Sequence, residues 1–173
     1  MAVEKAPVSD VENSVLARTA IIASLALTGV FIALLFFQDN LAGLFGQYAD
    51  EATIGLMLLG LWLVVSSTVR SVNNLAKNIQ TWKLLFAGVL VGVVSSVLTT
   101  AFLIMFPIVA KSQNMADVTG ATGAMILVIS CISFIISLIS VINARVKSRQ
   151  FGNLLEILII GGVIAGLVWW ATK

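Results

Sequence analysis

KLLFAGVLVGVVSSVLTTAFLIMFP, residues Lys83 to Pro107, is the stretch that decides the fold. No charged residue follows Lys83 until Lys111. A helix needs about 20 mostly apolar residues to cross the ~30 Å hydrocarbon core of a bilayer. The stretch therefore predicts a transmembrane helix, and the rest of the chain repeats segments of the same kind.

The composition agrees with a membrane protein and excludes several functional classes. The chain is 60% hydrophobic and 10% charged, with a mean hydropathy of +1.08, whereas soluble domains are about 25% charged. It has no histidine and one cysteine, Cys131, so most transition-metal, haem and histidine-based acid–base chemistry is excluded. The net charge of +2 is small, and no basic cluster suits a nucleic acid. We expect no metal, no cofactor and no nucleic-acid partner.

Five apolar segments predict an all-α membrane protein, a five-span transmembrane helical bundle. The segments are Thr19–Phe37, Ile54–Val69, Leu84–Val109, Gly123–Ala144 and Leu154–Ala171. The connections between them are too short for a soluble domain. We therefore expect a polar cytoplasmic N-terminal segment over residues 1–18, followed by a single transmembrane domain over residues 19–173.

The distribution of Lys and Arg predicts the orientation of the bundle. Residues 70–83, between spans two and three, and residues 145–149, between spans four and five, each carry three basic residues. The connection Gln38–Thr53 carries acids and no base. Short loops that face the cytoplasm are enriched in Lys and Arg. We expect a multi-pass protein of the cytoplasmic membrane, with the N-terminus in the cytoplasm and the C-terminus outside.

Two connections carry apolar residues that suit the membrane surface. Leu41, Leu44, Phe45 and Tyr48 fall on one face of a short amphipathic helix or turn on the outer side. Leu75, Ile79 and Trp82 form a similar stripe on the inner side.

Spans two and three resemble spans four and five. Gly88-Val89 with Gly92 in the third span matches Gly162-Val163 with Gly166 in the fifth. Either the chain contains a parallel hairpin repeat, with an axis along the membrane normal, or apolar sequence of low complexity produces the matches by chance.

Pairs of small residues four positions apart mark three spans. They are Gly29/Ala33, Gly88/Gly92 and Gly162/Gly166. Small residues at this spacing let helix backbones approach closely and gain van der Waals contact within the bilayer. One interpretation is packing inside this bundle, and the other is packing against a second copy or a partner subunit.

Hydroxyl side chains follow two spans at helical spacing. Those of the third span are Ser95, Ser96, Thr99 and Thr100, and those of the fourth are Ser130, Ser133 and Ser137, continued by Ser140. Such hydroxyls either bond backbone carbonyls and hold helices together, or line a narrow path for water or a small solute. A path requires stripes from two or more helices to converge.

Glu156 is the one acid expected within a span, about one turn into the fifth. Ionisable residues in a membrane are costly and are candidates for function. Glu156 either pairs at the interface with the preceding basic residues or binds a proton or cation.

No nucleophile–base pair, paired carboxylates or phosphate loop suggests an enzyme. The leading hypothesis is a non-catalytic integral membrane subunit or scaffold, whose small-residue faces pack with other membrane subunits or with copies of itself. The alternative is a small oligomeric channel or transporter, with a Ser/Thr-lined path and Glu156 near its cytoplasmic mouth.

Overall fold

The structure is a computed structural model that describes residues 8–76, 79–106 and 115–145, together with positions 150, 151, 154 and 158. The elements of the three ranges are all helical: α1 (Val8–Phe36), α2 (Gln38–Phe45), a 3₁₀ turn (Gly46–Tyr48), α3 (Ala49–Leu75), α4 (Thr81–Met105) and α5 (Met115–Arg145). The all-α fold class is confirmed. The fifth predicted span lies almost wholly outside the described residues.

Four helical segments are long and apolar enough to cross a bilayer. They are Glu12–Phe36, Gln38–Leu75, Thr81–Met105 and Ile126–Arg145. Each contains or overlaps one of the first four predicted spans, so the chain is a multi-pass membrane protein.

Three of the four long helices are longer than the apolar segments that predict them; the exception is α4, which ends at Met105. α1 begins at Val8 and α5 at Met115, so polar residues before the first and fourth spans belong to the same helices. Residues 8–18 of the predicted N-terminal segment are thus the first turns of α1. Hydropathy detects only the part of a helix that suits lipid, whereas backbone hydrogen bonding continues through polar residues.

The acidic connection between the first two spans is the short helix that its pattern predicts. α2 ends at Phe45 and is followed by Gly46, whose φ of 57° lies in the left-handed region that glycine adopts without strain. The reversal there leads through the 3₁₀ turn into α3. Leu44, Phe45 and Tyr48 remain exposed.

The predicted stripe of Leu75, Ile79 and Trp82 is wrong as a single helical face. Leu75 ends α3, Trp82 lies in the first turn of α4, and both are exposed. Ile79 lies between the helices and is 2% exposed, because it packs into the core where the chain reverses.

α3 and α4 lie between α1 and α5. Each of the outer helices packs against both inner helices, and within the described ranges no Cα atom of α1 lies within 8 Å of a Cα atom of α5. α1 runs parallel to α4, since Asn13 pairs with Lys83 and Thr28 with Ser95 along the two helices. α3 and α5 run the opposite way. The core between them is formed by Ala20, Leu27, Phe31, Leu61, Val65, Val91, Ile129 and Ile136.

One end of this bundle is basic and the other acidic. Val65 of α3 faces Gly88 of α4, so these two residues lie at the same level along the bundle. Arg70 and Lys83 each lie five residues from this level, and therefore at similar depth. Asp50 lies on the other side of the level, about 30 Å from Lys83 at ~1.5 Å per residue. This separation equals the ~30 Å thickness of the hydrocarbon core.

Candidate helix-packing site

Two glycines of α4 lie in very close contact with two serines of α5. A Cβ built on Gly88 would lie 2.9 Å from Ser137 Cβ, and one on Gly92 would lie 2.7 Å from Ser133 Cβ. Ordinary van der Waals contacts of a Cβ fall at 3.4–4 Å. The serine side chains therefore occupy the space that a side chain on either glycine would need. We call these four residues the glycine–serine seam.

The sequence produces the seam because both pairs have the spacing of one helical turn. Gly88 and Gly92 form a notch on α4, and Ser133 and Ser137 stand one above the other on α5. Because the two helices are antiparallel, Ser137 faces Gly88 and Ser133 faces Gly92. Small residues on both surfaces bring the backbones close, which is the main source of helix–helix contact energy in lipid.

Most of the buried hydroxyls bond a carbonyl of their own helix. Ser137 Oγ donates to Ser133 O at 2.6 Å, Ser96 Oγ to Gly92 O at 2.7 Å, and Thr99 Oγ1 to Ser95 O at 2.7 Å. Each of these pairs is four residues apart, and Ser95 Oγ reaches Gly92 O at 3.0 Å across three. The polar side chains are thereby satisfied within the helix and can be buried among apolar neighbours at little cost.

Two buried serines of α5 are exceptions. Ser133 Oγ and Ser140 Oγ have no hydrogen-bond partner among the described residues. Ser133 is 0% exposed and lies against Gly92, where the fit is tightest. An unsatisfied buried hydroxyl costs about 1–3 kcal/mol, so Ser133 is retained in the seam at a cost to stability.

Sequence reasoning missed the hydroxyls of α1. Ser24 and Thr28 are buried, and each donates to the carbonyl four residues earlier, at 2.8 Å. Thr28 Oγ1 also approaches Ser95 O on α4 at 3.5 Å, the limit of a hydrogen bond. The spacing of four between Ser24 and Thr28 was the available signal, and it is the same spacing as in the α5 stripe.

The structure does not bring the small-residue pair of α1 into a described contact. Gly29 and Ala33 are exposed, and no described atom lies within 4 Å of a Cβ on Gly29. The close contact of α1 is made instead by Val30, whose Cγ1 would lie 3.1 Å from a Cβ on Gly60 of α3. Gly29 and Ala33 thus form a shallow notch on the outer surface of the four described helices.

The remaining candidates divide between half-buried positions and undescribed ones. Thr100 and Ser130 are half-buried, and Ser130 Oγ donates to Ile126 O at 2.6 Å. Glu156, Gly162 and Gly166 lie outside the described residues, so the predictions made for them and for the hairpin repeat remain predictions.

The site offers hydroxyl groups and close backbone contact as its chemistry. Its described members carry no charge, and the described residues contain no group of three His, Cys, Asp or Glu that could hold a metal ion. Such an arrangement binds a helix, by shape and by van der Waals contact.

No protein-family model, curated protein or solved structure matches this chain.

Proposed function

We propose that the protein is a non-catalytic integral membrane subunit or scaffold that packs with partner helices in the bilayer through small-residue faces. The observation that carries the proposal is the tightness of the glycine–serine seam. A methyl group on Gly88 or Gly92 would overlap a serine of α5, so the chain uses a small-residue notch to hold a helix against it. Gly29 and Ala33 present a second notch of this type on an outer surface of α1.

The arrangement of the buried hydroxyls supports packing over conduction. A path for a solute needs space between the helices and hydroxyls that are free to exchange partners. In the seam the serines fill the space, and Ser137 already donates to a carbonyl of its own helix. Ser96 and Thr99, next to the seam, do the same. Other membrane subunits, or further copies of the chain, are the partners we propose.

The charge distribution supports a cytoplasmic location for the basic end. Arg70, Lys83 and Arg145 lie at that end of the bundle, whereas Asp50 and Glu51 lie at the opposite end. Lys and Arg are enriched in short cytoplasmic loops of multi-pass proteins. On this basis we place the N-terminus of the described region in the cytoplasm and the protein in the cytoplasmic membrane.

Purification in a mild detergent from the membranes in which the protein is naturally made tests the proposal. We expect other membrane subunits to co-purify in fixed stoichiometry, and the isolated chain to conduct no solute after reconstitution into liposomes. A preparation that contains only this chain and conducts solute would overturn the proposal in favour of a channel or transporter.

A matched pair of variants tests whether the α1 notch is the docking surface. Gly29→Leu fills the notch, whereas Gly55→Leu adds the same bulk on the exposed surface of α3, where a Cβ also meets no described atom within 4 Å. We expect Gly29→Leu to release the partner and Gly55→Leu to retain it. Equal retention by both variants would exclude the notch as the contact.

A further inference from the structure

The short helix α2 lies at the acidic end of the bundle and takes no part in the glycine–serine seam or the α1 notch. None of its eight residues, Gln38–Phe45, is buried. A helix whose residues all remain accessible is not part of the core of the described bundle. What α2 contacts is therefore a separate question from the scaffold proposal and does not depend on it.

A side-chain contact fixes the level of α2 along the bundle. Gln38 Nε2, at the start of α2, donates to Asp50 Oδ1 at 3.1 Å, and Asp50 is the second residue of α3. The chain thus leaves and re-enters the bundle at one level, which is the acidic boundary of the ~30 Å band that begins at Lys83. Because α2 is only about 12 Å long, no part of it lies far from this boundary.

The large apolar side chains of α2 lie on one side of the helix. At about 100° per residue, Leu41, Leu44 and Phe45 fall within an arc of about 100°, and Asp39 lies on the opposite side. We call the three apolar residues the α2 stripe. Leu41, between the other two in the arc, is half-buried, whereas Leu44 is 78% exposed and Phe45 is also exposed. Most of the α2 stripe is therefore uncovered within the described structure.

The α2 stripe continues the apolar surface that the bundle presents to lipid. Phe37 lies four residues before Leu41, whose N–H donates to Phe37 O at 2.9 Å, so Phe37 extends the stripe to the junction with α1. Phe36 and Phe37 are each 58% exposed. The rings of Phe36 and Phe102 of α4 lie 6.3 Å apart, and Phe102 contacts the exposed ring of Phe106 in turn. Aromatic rings thus join α2 to the ends of two transmembrane helices.

The charges around α2 do not favour attachment to anionic lipids. No basic residue occurs between Arg18 and Arg70, whereas Asp39, Asp50 and Glu51 lie in α2 or in the first turn of α3. Interfacial helices that depend on anionic lipids carry Lys and Arg on their polar side. Attachment to a membrane surface at this end must therefore come from apolar contact.

From its level, its apolar stripe and the charges around it, we propose that α2 is an interfacial helix that inserts Leu44 and Phe45 into the adjacent leaflet, and that it binds a neutral or zwitterionic lipid surface. Asp39 on the opposite side faces water. The exposed Tyr48 lies three residues after α2, at the headgroup level, where an aromatic ring with a hydroxyl group is typical. Lipid covers the α2 stripe and the adjoining transmembrane surface together, which a soluble partner would not.

Spin labels on single cysteines measure the depth of α2 in phosphatidylcholine vesicles that contain the full chain with Cys131→Ala. Collisions of the label with oxygen, which concentrates in lipid, are compared with collisions with a water-soluble nickel chelate. Leu44→Cys is matched with Gly43→Cys on the polar side, where a Cβ meets no described atom within 4 Å. We expect the Leu44 label to lie about 5–10 Å deep and to collide mainly with oxygen, and the Gly43 label to collide mainly with the chelate.

Two reference labels calibrate the measurement. Leu59→Cys lies on the exposed surface of α3 within the apolar band, and Ser14→Cys lies at an exposed position at the basic end of α1. A Leu44 label as accessible to the chelate as the Ser14 label would show that α2 stands in water. A Leu44 label shielded from both reagents would show that another copy or a partner protein covers the stripe. Either result would overturn the proposal.

An introduced carboxylate tests whether the α2 stripe sets this depth. With the label at Tyr48→Cys, Leu44→Asp is matched with Gly43→Asp. We expect Leu44→Asp to raise collisions with the chelate several-fold, because a carboxylate is unstable below the headgroups, and Gly43→Asp to leave them unchanged. Equal changes in the two variants, or no change in Leu44→Asp, would overturn the proposal, and Leu44→Gln provides the same test if Leu44→Asp does not fold.

Salt and lipid charge test the choice of a neutral surface. We expect the Leu44 label to lie at the same depth at low and high salt, because apolar contact is not screened by ions. We also expect it to lie no deeper in phosphatidylglycerol vesicles than in phosphatidylcholine vesicles. A label that lies deeper in phosphatidylglycerol at low salt, and loses this difference at high salt, would show electrostatic attachment and overturn the choice of a neutral surface.

Discussion

Replacing Gly88 with alanine tests the glycine–serine seam by adding a single methyl group. That carbon would lie 2.9 Å from Ser137 Cβ and 3.0 Å from Val65 Cγ1, and it would overlap Ser137 Oγ. A hydroxyl rotates away easily, but a Cβ moves only with its helix. To restore a contact of 3.4 Å, α4 and α5 must separate by about 0.5 Å at this level.

The expected cost follows from overpacking. Extra carbon in a well-packed core destabilises by about 1–3 kcal/mol, whereas Gly→Ala within a helix contributes up to about 1 kcal/mol in the opposite direction. Gly29→Ala has the second effect without the first, because a Cβ there meets no described atom within 4 Å. The difference between the two variants therefore isolates the clash, about 1–3 kcal/mol.

The assay measures the thermal midpoint of the purified chain in mild detergent. Unfolding is detected as the loss of the folded peak on size-exclusion chromatography. For a chain of this size we expect Gly88→Ala to unfold about 2–12 °C below Gly29→Ala. Ser137→Gly removes the obstructing side chain, so adding it to Gly88→Ala should recover part of the loss and give a favourable coupling in the double-mutant cycle. If Gly88→Ala is as stable as Gly29→Ala, or if the two seam substitutions are simply additive, the close approach is not what holds α4 and α5 together.

Four further variants test contacts around the seam and at the basic end. Ser133→Ala should leave the thermal midpoint unchanged or raise it, because Ser133 Oγ has no partner among the described residues. Ser137→Ala should lower the midpoint, because it loses the hydrogen bond to Ser133 O. Equal losses in the two variants would contradict this prediction. Lys83→Met should destabilise the protein by about 1 kcal/mol or less at low salt, because it loses the hydrogen bond to Asn13 and the ion pair with Glu12. An undiminished effect at high salt would rule out the ion pair as the cause. Arg145→Gln removes the donor to Ile79 O. The Ile79 amide, which donates to Ala76 O at 3.0 Å, should then exchange hydrogen faster. Unchanged protection would show that the Arg145 hydrogen bond does not stabilise this connection.

The positions of the first four spans could be predicted because the hydropathy of a segment indicates whether it is more stable in lipid or in water. An apolar run of sufficient length has few alternatives to a membrane helix. Helix ends were less predictable, as α1 and α5 show, because a helix continues into water wherever its backbone bonds are kept. The location of the basic residues at one end of the bundle could also be predicted from the charges of the connections, because consecutive spans alternate in direction.

The partners of each helix face could be predicted only in part. The sequence marked a small-residue notch and a set of hydroxyls on α4 and a serine stripe on α5, but it did not show which of them meet. In the structure Gly88 and Gly92 meet these serines, whereas Ser96 and Thr99 bond their own helix. Helical spacing defines a face but not its neighbour, because the choice depends on close packing among all four helices.

The outward orientation of Gly29 and Ala33 could not be predicted from spacing either. The same small-residue motif on α4 is buried in the seam, whereas on α1 the neighbouring Val30 makes the contact with α3. In lipid, large apolar side chains are stable on either surface of a helix, so hydrophobicity does not distinguish the buried side from the outer one.

The central claim is that the buried hydroxyls pack helices together and do not line a path for water. Labelling of introduced cysteines by a small charged thiol reagent in native-like vesicles tests it most directly. Cys131→Ala provides the background, and Ser14→Cys, at an exposed position at the basic end of α1, is the reactive control. We expect Ser95→Cys, Ser133→Cys and Ser137→Cys to stay unlabelled from either side of the membrane. Labelling of all three, at a rate near that of the control, would contradict it and identify a water-filled path between α4 and α5.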